Sequence, residues 1–144
     1  MSDDPPAYSD DEIRQIVTNH LGLAREVHAG EWRGRRIDRN FLCGLHARLF
    51  DAVRPHHAGR HRDRGRGSEY ITFGNPRRRS EHRDRVGRCL DDLCAQIQRS
   101  VDACRASEDD PAYARSVVRL AVWAHVELIR IHPFQDGNGR TARM

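Results

Sequence analysis

The chain has 144 residues, 38% hydrophobic, 32% charged and 6% aromatic, room for one hydrophobic core and one domain. The formal net charge is +4 and all 25 basic residues are arginine; for the scattered ones codon bias explains more than phosphate recognition, although the guanidinium fork suits phosphate. No apolar run reaches membrane-spanning length, since residues 117–131 are interrupted by Arg119, His125, Glu127 and Arg130, and the N-terminus lacks the basic and apolar regions of a leader, so a soluble cytoplasmic protein with no membrane partner is expected.

Residues 1–8 are acidic and proline-bearing and read as a disordered lead-in. Ser9, followed three residues later by Glu12, forms a capping-box start for a helix reaching about residue 29, with Ile13, Ile16, Val17, Leu21, Ala24 and Val27 on or near one face. Asp38 caps a second helix, in which Phe41, Leu42, Leu45, Leu49 and Val53 recur at helical spacing until Arg54-Pro55 ends it.

Residues 55–76 are rich in Gly, Arg and His, and contain one β-forming island, Tyr70-Ile71-Thr72-Phe73, closed by Gly74-Asn75-Pro76. This predicts a loop carrying a small hairpin. Arg77, Arg78 and Arg79 read as a solvated turn, with a surface for an acidic target as the alternative. The arginine-dense stretch 54–88 has no recognised nucleic-acid motif and few aromatics for stacking, which argues against nucleic acid as a partner. A long amphipathic helix follows through Val86, Leu90, Leu93, Cys94, Ile97, Val101 and Cys104. Pro111 then opens a helix whose residues Val117, Val118, Leu120, Ala121, Val122, Ala124, Leu128 and Ile131 are apolar on more than one side, as in the buried centre of a bundle.

The remaining candidates read as structural. Cys43, Cys89, Cys94 and Cys104 form no CxxC pair and are expected as reduced thiols. His125 is expected as a hydrogen-bonded core residue, and Trp32 and Trp123 as core. His46, His56, His57 and His61 lack the spacing of a metal site and are expected to be solvated or structural.

After the central helix comes His132-Pro133-Phe134-Gln135-Asp136-Gly137-Asn138-Gly139-Arg140-Thr141-Ala142-Arg143, with signs of a new helix. Gly137 and Gly139 let the backbone turn its N–H groups inward, and a helix N-terminus following them favours an anion. Arg140 and Arg143, three residues apart, are placed to offer bidentate bonds to one phosphate-bearing ligand. Asp136 is a hard carboxylate suited to Mg²⁺ beside phosphates. His132 is neutral for the most part at pH 7 and can act as a general base, while Phe134 plugs the loop into the core.

This string resembles the Fic family motif, His-x-Phe-x-(Asp/Glu)-Gly-Asn-Gly-Arg-x-x-Arg, at every defined position. The resemblance implies a mainly α Fic-type helical bundle with a small β-hairpin flap, over residues 9–144. It implies a protein adenylyltransferase of toxin type, with ATP and Mg²⁺ as cofactors and a target protein bearing a Ser, Thr or Tyr hydroxyl. His132 is then the base, Asp136 the Mg²⁺ ligand, Gly137-Asn138-Gly139 the anion cradle, and Arg140 and Arg143 the holders of the β- and γ-phosphates. Residues 45–50 and 58–60 correspond to the helix and turn before the flap, residues 68–76 are the flap, and Tyr70, Ile71, Thr72 and Phe73 order the target by strand addition. Gly139 stands where Doc-type kinases carry lysine, which favours nucleotidyl transfer; relatives moving another phosphate-containing group share similar motifs. No Ser or Thr is followed four residues later by Glu, so the family's inhibitory helix is expected on a separate antitoxin partner, beyond residue 144, or nowhere. Family members continue past the motif, so the sequence reads as C-terminally truncated, with a catalytically silent fragment that binds nucleotide or an antitoxin as the alternative function.

Overall fold

A computed structural model describes residues 7–144; of the lead-in expected over residues 1–8, residues 1–6 lie outside the described part. Five helices and one hairpin follow in the order α1 (Asp10–His28), α2 (Arg39–Phe50), β1 (Thr72–Phe73), β2 (Arg78–Arg79), α3 (Arg83–Ala106), α4 (Tyr113–Ile131) and α5 (Asn138–Ala142). The mainly α architecture with a small antiparallel hairpin is the one expected from the sequence. Among the described residues no helix is long and apolar enough to cross a membrane.

The helix starts follow their capping chemistry. The Ser9 hydroxyl accepts from the Glu12 N–H at 3.3 Å while the Glu12 carboxylate accepts from the Ser9 N–H at 2.8 Å, closing the capping box of α1. The Asp38 carboxylate accepts from the Phe41 N–H at 2.8 Å and starts α2. At α4 the Asp110 carboxylate takes the Ala112 N–H at 2.7 Å and holds residues 111–112 in a turn, so the helix begins at Tyr113, two residues later than Pro111 suggested.

The centre of the bundle is α2. Leu42 and Leu45 pack with Val86, Leu90, Leu93 and Cys94 of α3 and Leu128 and Ile131 of α4, whereas Leu49 and Phe50 pack with Ile16 and Leu23 of α1 and with Ala58. Burying each such side chain contributes roughly 1.5–3 kcal/mol, and having both clusters on one helix makes α2 the shared wall of the fold. Trp32 and Trp123 pack against the first cluster as expected. All four cysteines are free; burial pushes the Cys94 thiol up to about 12, which keeps it protonated and inert.

Two expectations are corrected. Helix α4 is not the buried centre: only Leu128 and Ile131 are buried, and Val118 is 61% and Val122 59% exposed. On α1 the predicted apolar face splits, with Ile16 buried beside Leu23 while Ile13, Val17, Leu21 and Val27 stay exposed. A helix with more apolar residues than one neighbour can cover leaves the surplus in solvent.

The hairpin is shorter than the apolar island. Thr72 pairs with Arg79 and Phe73 with Arg78, so two arginines read as a turn form β2. Tyr70 and Ile71 lie outside the strand: the Ile71 carbonyl still accepts from the Ser80 N–H at 2.8 Å, but the Ile71 N–H goes to the Ser80 hydroxyl, also at 2.8 Å, so the ladder stops at Thr72.

Candidate active site

The motif loop leaves α4 at His132, whose backbone is left-handed at φ 53°, ψ 59°. For a residue with a Cβ this conformation costs roughly 1–2 kcal/mol and persists only where the surroundings impose it. Here the His132 N–H donates to the Leu128 carbonyl at 2.9 Å, and the His132 carbonyl accepts from Arg62 Nε at 3.0 Å and Nη2 at 2.8 Å.

The ring's tautomer follows from its partner. His132 Nδ1 lies 3.2 Å from the Ile129 carbonyl, which can only accept, so Nδ1 carries the proton and Nε2 keeps its lone pair. Burial holds the His132 pKa below its ordinary value, and the nearby Arg62 charge pushes the same way. The Phe73 ring of β1 stacks on the imidazole with centroids 4.3 Å apart and an angle of 14°. Of the flap residues expected to meet a target, Phe73 therefore reaches the histidine; Thr72 is exposed, and Tyr70 carries the Arg79 guanidinium 4.0 Å over its ring.

Below His132 the loop is built on two internal clamps. Phe134 is fully buried and stacks on His46 at 3.9 Å, the plug expected from sequence. The Asn138 side chain accepts from the Phe134 N–H at 2.9 Å and donates to the Phe134 carbonyl at 2.8 Å. Its amide thus works inside the loop rather than facing solvent. The second clamp is His46 of α2. The Gly59 N–H donates to His46 Nδ1 at 2.9 Å, so Nε2 bears the proton and donates to the Asp136 carbonyl at 2.9 Å. Burial lowers the His46 pKa to about 4 and keeps it neutral. His46 is structural, whereas His56 and His57 are solvated; its helical spacing from Leu42 and Leu49 was the signal that it faces the core. His125 is likewise hydrogen-bonded, to the Ala142 carbonyl at 3.2 Å.

Gly137 has φ 77°, and a Cβ there would lie 2.4 Å from the Phe50 ring and 3.2 Å from His46 Nε2. Only glycine fits against α2 at this point. From Gly137 the chain enters α5, whose first N–H groups have no preceding helical carbonyl to bond.

Asp136 and Arg140 meet around a residue that the sequence placed in the lead-in. One Asp136 oxygen accepts from the Gly137 N–H at 2.6 Å, and the other accepts from the Tyr8 hydroxyl in a short hydrogen bond. The Arg140 guanidinium lies 4.5 Å over the Tyr8 ring, and Arg54 lies 4.8 Å from its centroid. Burial first, and then Asp136, raise the Tyr8 pKa, so the phenol stays a donor. Arg140 Nη1 is buried without a hydrogen-bond partner among the described residues. A buried guanidinium nitrogen without a bond is costly and has a donor to offer an anion. Arg143 is exposed at the end of α5, borders the groove lined by Trp32, Phe41 and Leu128, and has its Nη2 3.7 Å from where a Gly139 Cβ would sit.

Among the described residues no group of three or more His, Cys, Asp or Glu side chains converges as a metal site. Asp136 is a single carboxylate, which suits Mg²⁺ whose remaining positions are filled by water and phosphate oxygens.

The sequence model of the Fic/DOC family matches residues 36–144, a span that begins after α1 and includes α2, the hairpin and the whole loop. The chain belongs to the Fic/DOC family. Beyond the Fic match, a stretch of 27 residues is 63% identical to protein adenylyltransferase Fic of Culex quinquefasciatus, covering 19% of this chain and 5% of that protein. The same length is 59% identical to protein adenylyltransferase Fic of Aedes aegypti, with the same shares. A stretch of 36 residues is 47% identical to protein adenylyltransferase fic-1 of Caenorhabditis briggsae, covering 25% of this chain and 7% of that protein. The chain thus matches only a small part of the length of each of these relatives.

Proposed function

We propose that this Fic chain transfers AMP from Mg²⁺-ATP to a Ser, Thr or Tyr hydroxyl of a target protein. The observation that carries the reading is the state of His132: its Nδ1 proton is committed to the Ile129 carbonyl, so its Nε2 is unprotonated and available. The relatives' printed names, protein adenylyltransferase, point the same way.

In this reading Nε2 takes the proton of the acceptor hydroxyl while its oxygen forms a bond to the α-phosphorus. The bond from that phosphorus to the bridging oxygen of the β-phosphate breaks, and pyrophosphate leaves. A placed base contributes about 10²- to 10⁴-fold to such a step. Asp136 would hold Mg²⁺, which neutralises charge on the phosphates. The unbonded Arg140 nitrogen and the free N–H groups of α5 bind phosphate oxygens, and Arg143, whose guanidinium lies beside Gly139, joins them. The outer edge of β1 offers backbone groups to an extended target segment, and an antitoxin partner could supply the restraint this chain's Ser and Thr positions do not encode.

The test is mass spectrometry of lysate proteins after incubation with Mg²⁺-ATP. Adenylyl groups on hydroxyl side chains that are absent with His132→Ala support the proposal. Nucleotide binding without any such product replaces it with the silent nucleotide-binding reading.

A further inference from the structure

Arg62 is the bulkiest of the fully buried side chains, 1% exposed, and no part of the motif includes it. Among the described residues no carboxylate lies within ion-pairing distance of it. Burial lowers its pKa to about 10, which leaves it charged at neutral pH. A buried charge without a counter-ion survives only where its donors are fully used.

The donors of Arg62 go to three segments of chain. Nη1 donates to the carbonyls of Ser68 at 2.9 Å and Glu69 at 3.2 Å, where the chain enters the flap. Nη2 donates to the Ser80 hydroxyl and the Glu81 carbonyl, each at 3.0 Å, where the chain leaves it. Nε and Nη2 converge on the His132 carbonyl, with Ile131 at 3.3 Å, at the end of α4. The Arg62 N–H itself donates to the Pro133 carbonyl at 2.8 Å. One guanidinium therefore ties both ends of the flap to the left-handed turn that aims His132, while the Phe73 ring at the flap's tip stacks on that same imidazole.

The nucleotide half of the site has an anchor of its own besides this frame. The Asp136 carbonyl is held by His46 and Phe134 by Asn138, with Gln135 between them bonded to Ser68 at 3.0 Å through both its amide oxygen and its amide nitrogen. Base and flap share one anchor, and the phosphate cradle has another.

We propose that Arg62 is a positioning residue for group transfer, fixing the flap and His132 in one rigid frame so that a flap-held hydroxyl and Nε2 meet in register. The proposal rests on the reading of His132 as the base. Arg62 touches neither substrate and acts through the carbonyl of His132 and the ends of the flap. Lysine keeps the charge but has one nitrogen on a flexible stem and cannot span three segments at once.

The test compares wild type with Arg62→Lys in three measurements. Transfer of adenylyl groups to lysate proteins is expected to fall at least tenfold in kcat, with KM for Mg²⁺-ATP changed by less than twofold. The NMR shift of the His132 ring protons, moved upfield in wild type by the stacked Phe73 ring, is expected to relax toward that of a free histidine. Wild-type kcat with the ring-current shift retained overturns the proposal, and so does a loss of ATP binding in proportion to the loss of kcat, which would show a general structural defect. If Arg62→Lys fails to fold, Ser80→Ala removes the hydroxyl that joins Arg62 to the flap, together with that hydroxyl's bonds to the Ile71 N–H and the Glu81 carbonyl; a two- to fivefold loss of kcat at unchanged KM for Mg²⁺-ATP with a relaxed His132 ring shift supports the proposal, and no loss, or a retained ring shift, overturns it. A wild type that transfers nothing overturns the reading of His132 as base, an outcome distinct from one in which wild type and Arg62→Lys transfer equally.

Discussion

Tyr8 occupies the place where Asp136 and Arg140 would receive a cation and phosphate, so its removal is expected to tighten Mg²⁺-ATP binding. Its hydroxyl donates to an Asp136 oxygen, and its ring lies beneath Arg140. A hydrogen bond to an ionised acceptor contributes about 1.5–3 kcal/mol when sheltered. Tyr8 is only part-buried, and after solvent screening about 1–2 kcal/mol remains for the ligand to displace. At 1.4 kcal/mol per tenfold, Tyr8→Phe is expected to lower the Kd for Mg²⁺-ATP roughly 5- to 30-fold. Tyr8→Ala also frees Arg140 from the ring, a contact of roughly 0.5–1 kcal/mol at an exposed site, and should bind tighter still by about 2- to 5-fold. Isothermal titration of the three proteins measures this directly. Tyr8→Phe binding as weakly as wild type, or more weakly, would refute the reasoning and make the phenol part of the ligand site.

Further outcomes follow from the packing and the titrating groups. Gly137→Ala sets a Cβ 2.4 Å from Phe50 in a left-handed backbone, and should destabilise the fold by about 3 kcal/mol or more in urea unfolding. His46 has its pKa lowered to about 4 in the fold, so the unfolded chain takes up its proton first and stability is lost as pH falls from 6.5 toward 4. Between pH 7 and 5 the wild type should lose about 2 kcal/mol more than His46→Gln, at 1.36 kcal/mol per unit. Burial lowers the His132 pKa, so the acid limb of kcat/KM should have its midpoint below 6.5, where the base becomes protonated; a midpoint above that value contradicts the assignment.

Local chemistry made much of the fold legible. Ser9 with Glu12, Asp38, and the periodicity of α3 each fixed an element because the partners of those residues lie within a turn or two. The motif loop was legible for the same reason, with Phe134, Gly137 and Asn138 doing nearby work. Long-range partners were not. Arg62 is one of 25 arginines, and nothing in its flanking residues distinguishes it from the exposed ones. Tyr8 sits among prolines and acids and meets Asp136 across 128 positions. Arg78 and Arg79 are poor strand formers by composition, and pair only because Thr72 and Phe73 stand opposite. The apolar content of α4 was read correctly, but a sequence does not say which neighbours are there to cover it.

The most direct measurement of the central claim is which phosphorus of ATP reaches protein. With ATP labelled at the α-phosphate, wild type is predicted to label lysate proteins and His132→Ala to leave them unlabelled. Label arriving from the γ-phosphate alone, or α-label transferred equally by His132→Ala, would contradict nucleotidyl transfer with His132 as the base.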